Sequence, residues 1–253
     1  MKYPNYPAYI IGLFLLTQTS CGADEVTSHT DPTPSVPVAA LCTEMRELKC
    51  VDNMTLDLSF QDKVATAEVS SLQEGSEWVS LVDATAGGFG NASTNPWIYI
   101  KFTEQGAEKV EITDNESLES MQWHIAAHRY KIRLNSGTGG PSCVRAAALL
   151  EGNYDSIAQA PQELTFYEDS FYTADCSLIS DTGLGDPQFY MSSWWEYPGC
   201  VKTTGVPFLI QLDTGRTLKL RIEEYYQSGQ ENCNDNGTPG SGSGNLKLRW
   251  KFL

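Results

Sequence analysis

Histidine and basic residues are scarce in this sequence, and both shortages exclude classes of function. The 253 residues include three histidines, and 32 Asp and Glu outnumber 17 Lys and Arg, for a formal net charge of -15. Because no run rich in Lys and Arg occurs, we expect no nucleic-acid partner. Cys-x-x-Cys pairs and Cys/His zinc spacings are absent, which argues against structural zinc. No catalytic constellation stands out, so we expect a protein that is not an enzyme.

An apolar run lies near the N-terminus, at residues 8–16, after Lys2. It is too short to cross a membrane and predicts a signal peptide over residues 1–20. Cys21 then stands where the signal of a bacterial lipoprotein is cut and acylated, although Gln18 occupies a position that usually carries an aliphatic residue. We therefore expect a lipid anchor on Cys21, with ordinary secretion as the alternative.

Residues 21–40 have a proline every few positions and almost no large apolar side chains. Such a segment cannot offset its ordering entropy and predicts a disordered linker. The folded domain is expected over residues 41–253, tethered at the outer membrane or cell surface.

The cysteines beyond position 21 are even in number, which in an exported protein predicts three disulfides. Their pairing has 15 possible patterns, and Cys42 and Cys50 alone are close enough in sequence to suggest a local loop. The six are Cys42, Cys50, Cys143, Cys176, Cys200 and Cys233.

Short β-rich runs separated by turn signals dominate the rest of the chain and predict an all-β antiparallel domain with few short helices. In the last run, NLKLRWKFL, apolar Leu246, Leu248 and Trp250 alternate with basic residues, which is the pattern of a strand with one solvated face. Helical potential is limited to residues 43–49 and 115–122, and residues 231–245 predict a flexible hairpin loop. The strand-like runs are EWVSLVDAT, WIYIKF, EKVEI, VPFLIQLD, TLKLRIEEYY and NLKLRWKFL.

Two of the three histidines lie in the run MQWHIAAHRYKIRLNSGTGG, at residues 121–140. If residues 123–134 form one strand, His124 and His128 share a face but lie about 13 Å apart, too far to bind one ion. As a helix, the run would lack the Glu of a zinc-hydrolase motif. A haem would therefore need one histidine and a distant partner.

The stretch QFYMSSWWEYPGC, at residues 188–200, supplies candidates for that partner and for a pocket. Methionine serves as an axial haem ligand, so Met191 is a candidate ligand to the iron, and Met121 is another. The aromatic side chains of Trp194, Trp195 and Tyr197 could line an apolar pocket or complete a core.

The run WHIAAHRYKIRLNSGTGG resembles the core of the HmuY family of secreted bacterial lipoproteins, W-D-I-A-F-x-R-x-x-I-x-x-N-G-G. NYDSIAQAP and FLIQLDTGRTLKLRIEEYY are similar to later segments of the family, and the resemblance covers about residues 78–253. The sequence departs from the core at His124, where the family usually has Asp, and at Ala127, where it usually has a large apolar residue. The resemblance implies an all-β lipoprotein that captures haem through two axial side chains and passes it to an outer-membrane receptor.

Two functions follow. The leading one is non-catalytic binding of haem or another porphyrin, with His128 the ligand that the resemblance favours and Met191 a choice from loop position and chemistry. The alternative is a structural or interaction module of the cell surface with no cofactor. His124 is expected to make a structural hydrogen bond. The basic residues Arg129, Lys131 and Arg133, which could meet the propionates, are expected on the strand face opposite His128.

Overall fold

The computed structural model describes residues 39–181 and 184–253, which fold mainly into antiparallel strands. The predicted signal peptide, Cys21 and almost all of the predicted linker lie outside the described residues. The strands are β1 (Val69–Glu74), β2 (Glu77–Asp83), β3 (Ile98–Thr103), β4 (Gly106–Val110), β5 (Ile125–His128), β6 (Lys131–Leu134), β7 (Arg145–Ala148), β8 (Trp195–Glu196), β9 (Lys202–Thr203), β10 (Phe208–Gln211), β11 (Thr217–Tyr226) and β12 (Ser243–Phe252).

Helices are few and short in the described residues, so the predicted fold class is confirmed. They are α1 (Val51–Asp57), α2 (Glu231–Asn236) and 3₁₀ helices at Phe89–Thr94, Glu116–Glu119, Tyr154–Ser156 and Tyr190–Trp194. None of these helices is long and apolar enough to cross a membrane.

The strands form two main sheets and a two-stranded ribbon. One sheet has six strands in the order β1-β2-β12-β11-β10-β7, and the other has four in the order β4-β3-β5-β6. Every pair is antiparallel, and β8 pairs with β9 apart from both sheets. The predicted alternation in β12 is confirmed. Leu246, Leu248 and Trp250 are buried, while Arg249 lies on the solvated face of the strand and pairs with Glu223 and Glu74.

Two apolar clusters hold the domain together. The inner cluster lies between the two sheets and takes side chains from both, such as Ile100 of β3 and Leu220 of β11. The outer cluster lies on the other face of the four-stranded sheet, where α1 and irregular chain cover it. Its buried members are Met54, Leu58, Trp97, Tyr99, Trp123, Ala126, Phe171, Tyr172 and Phe189.

Three disulfides form, as predicted, but none is local. The local Cys42–Cys50 loop that the sequence suggested, among 15 possible pairings, does not form, because the two cysteines bond to different distant segments. Cys42 bonds Cys143 across 101 positions and Cys50 bonds Cys176 across 126, while Cys200 bonds Cys233 across 33. The first two bridges fasten the chain that precedes β1 to loops beyond the four-stranded sheet.

Two local predictions are wrong, both because tertiary contacts override propensity. Residues 43–49 are not helical: the Arg46 amide donates to the Pro141 carbonyl, and the helix begins only at Val51. Conversely, α2 forms inside the predicted flexible loop. It is fastened by Cys233 and ends at Gly237, whose φ of 66° suits a left-handed cap.

Candidate functional site

Residues 125–134 form a tight hairpin rather than the single strand that the sequence predicted. His128 of β5 faces Lys131 of β6, so Arg129 and Tyr130 alone make the turn. Arg129 takes a φ of 55°, the positive value that a two-residue hairpin turn requires. Its amide donates to the Ala84 carbonyl at 2.6 Å, which fixes the turn against the end of β2.

The hairpin also corrects the expected arrangement of charge around His128. Residues directly opposite in an antiparallel pair point to the same face. Lys131 faces His128 and Arg133 faces Ala126, so both cations share the face of His128 instead of the opposite one. The separation between ligand and counter-charge that the sequence implied therefore disappears for these two residues.

His128 is buried and held by backbone carbonyls. It is 6% exposed, and its ring stacks on Trp97 with centroids 5.1 Å apart. Its Nε2 lies 2.9 Å from the Ala92 carbonyl oxygen and 3.2 Å from that of Asn95, so this nitrogen carries the proton and donates it. Burial, with the nearby Lys131 charge, lowers the pKa of His128 to about 4. The ring is therefore neutral near pH 7, and its Nδ1 keeps the free lone pair.

His124 precedes β5 and serves the fold, as expected. Its Nδ1 accepts a hydrogen bond from the Phe102 amide at 3.0 Å, and its Nε2 lies 3.6 Å from an Asp213 carboxylate oxygen. Burial lowers the pKa of this histidine despite the Asp213 carboxylate. Both ring nitrogens thus face partners within the protein.

A cleft of about 380 Å³ opens beside the hairpin turn. This volume falls within the range of small-molecule pockets. The walls come from the end of α1, the 3₁₀ helix Phe89–Thr94, hairpin residues 128–131, and Leu184 with Asp186. Phe89 lines this cleft and is 82% exposed, the highest value among the large apolar side chains of the described residues.

Arg129 contributes a cation without a counter-charge. Its guanidinium lies 5.5 Å from the centre of the Phe89 ring. Its Nε and Nη1 atoms are buried, and neither makes a hydrogen bond or ion pair within the described part of the chain. Lys131, by contrast, is paired with Asp186 at 2.6 Å. The cleft therefore combines an exposed aromatic ring, an unpaired cation and a buried neutral histidine.

The structure does not bring the other predicted site residues to this cleft. Met191 and Trp194 are buried in the inner cluster, whereas His128 stacks on a ring of the outer cluster on the opposite face of the four-stranded sheet. The ring of Trp195 packs against that of Tyr130, with centroids 4.9 Å apart, and Tyr197 is exposed outside the cleft. Met191 could thus reach the iron of a haem bound near His128 only by leaving the core.

Sequence reasoning missed Phe89 and recognised Arg129 only as a general cation. Phe89 sits in AGGFGNASTNP, which reads as a turn. The signal that could have revealed it is a single aromatic residue amid small and polar ones, since a turn has no need of it. The described residues contain no group of three or more His, Cys, Asp or Glu side chains that could hold a metal ion.

The fold and the cleft define a β-sandwich protein with a small-molecule-sized site at a hairpin turn. The sequence matches the HmuY protein family over residues 93–236, more than half of the chain, and the protein belongs to that family. No curated protein matches it.

Several solved structures are similar to it. A candidate HmuY-like heme binding protein from Bacteroides vulgatus ATCC 8482 is 21% identical over 72% of this chain and 96% of its own, with a TM-score of 0.43. The apo HmuY analog of Tannerella forsythia is 15% identical over 76% and 99%, with a TM-score of 0.43. A candidate lipoprotein of Bacteroides fragilis NCTC 9343 is 15% identical over 72% and 95%, with a TM-score of 0.40. Membership in the family rests on the sequence match over residues 93–236.

Proposed function

We propose that the protein binds haem or another porphyrin, without catalysis, in the cleft beside the β5–β6 hairpin. One observation carries the proposal: the cleft joins the exposed Phe89 ring, the unpaired Arg129 guanidinium and the neutral His128 ring. A porphyrin offers a flat apolar ring for the aromatic side chain and acidic groups for the cation. Family membership supports this choice of ligand class.

His128 is the candidate ligand to a haem iron. Neutral histidine is a common axial ligand, and the lowered pKa keeps this one neutral. Iron would have to approach Nδ1, or displace the Ala92 and Asn95 carbonyls from Nε2. The net charge of -15 also opposes an anionic ligand at long range. We therefore expect micromolar affinity, and Met191 is not part of the proposal.

Haemin titration of the mature protein tests this function. In the wild type, the Soret band should shift, and His128→Ala should shift or remove the bound spectrum because it deletes the proposed ligand. His29→Ala, in the predicted linker, is the matched control and should leave the spectrum unchanged. His124→Ala should lower stability without moving the band. An unchanged spectrum in His128→Ala would rule out ligation by His128.

A cell-surface module without any cofactor is the second candidate. It is favoured by the two carbonyls that already bind Nε2 of His128 and by the three disulfides, which would suit a purely structural domain. A wild-type protein that gives no spectral response to haemin would make this function the better one.

The location proposed is the outer membrane or cell surface, with a lipid on Cys21 and an outer-membrane receptor as the partner that accepts haem. Family membership and the lipoprotein-like N-terminal sequence support it. The Cys21→Ala protein should leave the membrane fraction of cells. A variant that stays membrane-bound would exclude anchoring through this residue.

A further inference from the structure

Among the four outer edges of the two main sheets, the edge of β1 has no hydrogen-bond partner within the described residues. At the other edge of the six-stranded sheet, Ala146 of β7 exchanges two backbone hydrogen bonds with Tyr167. In the four-stranded sheet, the Ser71 hydroxyl bonds both the amide and the carbonyl of Ala107 in β4, and the Asp169 carboxylate accepts from an amide of β6. The outer amides and carbonyls of β1 are therefore free to pair with an added strand.

The strand β1 also lacks the features by which proteins protect an edge. Its sequence VSSLQE contains neither Lys nor Pro, and its register with β2 runs from Val69 to Glu74 without a bulge. Leu72, near its centre, is 66% exposed. Such an edge favours the addition of an extended segment, in which main-chain hydrogen bonds give affinity and alternate side chains give specificity.

The sheet face beside this edge forms a groove of about 560 Å³ that combines apolar and acidic side chains. Leu72 lies opposite Val79 of β2, and Leu81 of β2 is 54% exposed. Glu68 and Asp83 also line the groove, and neither forms an ion pair within the described part of the chain. The groove shares no lining residue with the cleft at the hairpin and is therefore a second surface.

The half of the same face that lies farther from β1 is covered and neutralised. Lys219 pairs with Glu77 at 3.1 Å, and Arg221 pairs with Glu223 at 2.8 Å. The Tyr154 ring lies against both cations, with its centre 4.1 Å from Lys219 Nζ and 4.7 Å from Arg221 Cζ. The half next to β1 instead leaves leucine side chains and carboxylates open to solvent.

We propose that β1 and this groove bind an extended segment of a partner protein that carries apolar and basic side chains. The segment pairs with the free edge of β1, packs apolar side chains against Leu72, and brings basic side chains to Glu68 and Asp83. A second copy of this chain is a poor occupant. It would bring the acids of one copy against those of the other, in a protein whose net charge is already -15.

A labelled synthetic peptide of alternating valine and threonine, with a lysine at each end, tests the surface. Fluorescence anisotropy measures its binding to the mature protein at physiological ionic strength, where salt screens long-range attraction. Hydrogen exchange should show that the bound peptide protects β1. A peptide with a central proline keeps both lysines but loses a main-chain donor, and it should bind at least about tenfold more weakly. A peptide with glutamate at both ends should not bind.

Substitutions in the protein locate the contact. Leu72→Ser removes the apolar contact and should weaken binding of the lysine peptide about tenfold. Glu68→Gln removes one carboxylate and should weaken it about threefold. Leu150→Ser and Glu151→Gln are the matched controls, because both side chains are exposed just beyond β7, at the opposite edge of the same sheet. Both controls should bind the peptide as the wild type does, and circular dichroism melting verifies that every variant is folded.

Three results would overturn the proposal. The first is equal binding of the lysine and proline peptides, or binding that Leu72→Ser leaves unchanged, because charge alone would then explain the attraction. The second is the absence of binding by the lysine peptide. The third is a wild-type dimer in analytical ultracentrifugation that Leu72→Ser dissociates, which would assign the edge to a second copy of the chain.

Discussion

The inner and outer clusters are built on different principles. The inner cluster is formed by apolar side chains that alternate along the strands of two sheets. The outer cluster instead surrounds a fully buried cation: the guanidinium carbon of Arg133 lies 4.7 to 5.4 Å from four aromatic rings. Regular sheets form the inner cluster, whereas irregular chain, disulfides and a buried charge form the outer cluster. The candidate cleft borders the outer cluster.

A hydrogen-bond network sets the geometry of the outer cluster. Arg133 Nη2 donates to the Tyr99 hydroxyl at 2.9 Å, and that hydroxyl donates to Asp114 at 2.8 Å. Asp114 also accepts from the backbone amides of Gln61 and Trp97. Buried networks of this kind are sensitive to the loss of any partner. The outer cluster should therefore respond to perturbation more sharply than the inner one.

The largest expected effect comes from removing the Cys50–Cys176 bridge with the double substitution Cys50→Ala/Cys176→Ala. The bridge closes a sequence separation of 126 residues and fastens α1 to the loop that carries Phe171. Because the bridge restricts the entropy of a long loop in the unfolded chain, its loss should lower the free energy of unfolding by about 5 kcal/mol. Urea unfolding measures the loss, and hydrogen exchange should show lost protection in α1 and residues 171–181 while the six-stranded sheet stays protected.

The matched control is Cys200→Ala/Cys233→Ala, which removes a bridge of 33 residues beside α2. Its loss of protection should be confined to α2 and β9. If removal of the Cys50–Cys176 bridge unprotects the six-stranded sheet to the same extent as α1, the two clusters do not respond separately and the comparison fails.

The next effect concerns Asp169, a fully buried carboxyl group at the border of the outer cluster. It accepts from the Leu134 amide at 2.6 Å and the Tyr190 amide at 2.9 Å, and burial raises its pKa to about 7 from 3.8. Between these pH values the folded state keeps a proton that the unfolded chain has lost. The contribution of Asp169 to stability should therefore fall as pH rises from 4 to 7, by up to about 4 kcal/mol.

Asp169→Asn isolates this effect, because asparagine does not titrate. The variant loses one hydrogen bond at every pH. The unfolding free energy of the wild type minus that of the variant should therefore be largest near pH 4 and shrink toward pH 7. The buried histidines, whose lowered pKa values act in the opposite direction, are common to both proteins and cancel in the difference. Urea unfolding at several pH values measures it, and a difference that is constant between pH 4 and 7 would contradict a raised pKa.

The difference between the two clusters explains which parts of the structure could be predicted from the sequence. β12 was predictable because one of its faces is solvated and its apolar residues alternate. β5 is buried along its whole length, so no alternation reveals where the strand ends. The Arg129-Tyr130 turn lacks the Asn, Asp or Gly residues that usually announce a hairpin. The cleft therefore depends on long-range packing that no local pattern encodes.

The smallest effect should come from the ion pair between Arg46 and Glu168. It joins the segment before α1 to the loop beyond β7, close in sequence to the bridged Cys42 and Cys50. Both nitrogen–oxygen contacts measure 2.7 Å, yet the side chains are 46% and 32% exposed, so water and salt screen the attraction. Arg46→Ala should lower the unfolding free energy by less than about 1 kcal/mol, and the loss should shrink further in high salt. Urea unfolding measures this loss. A loss of unfolding free energy as large as that from removing a disulfide would mean that exposed ion pairs, rather than disulfides, hold the outer cluster to the sheet.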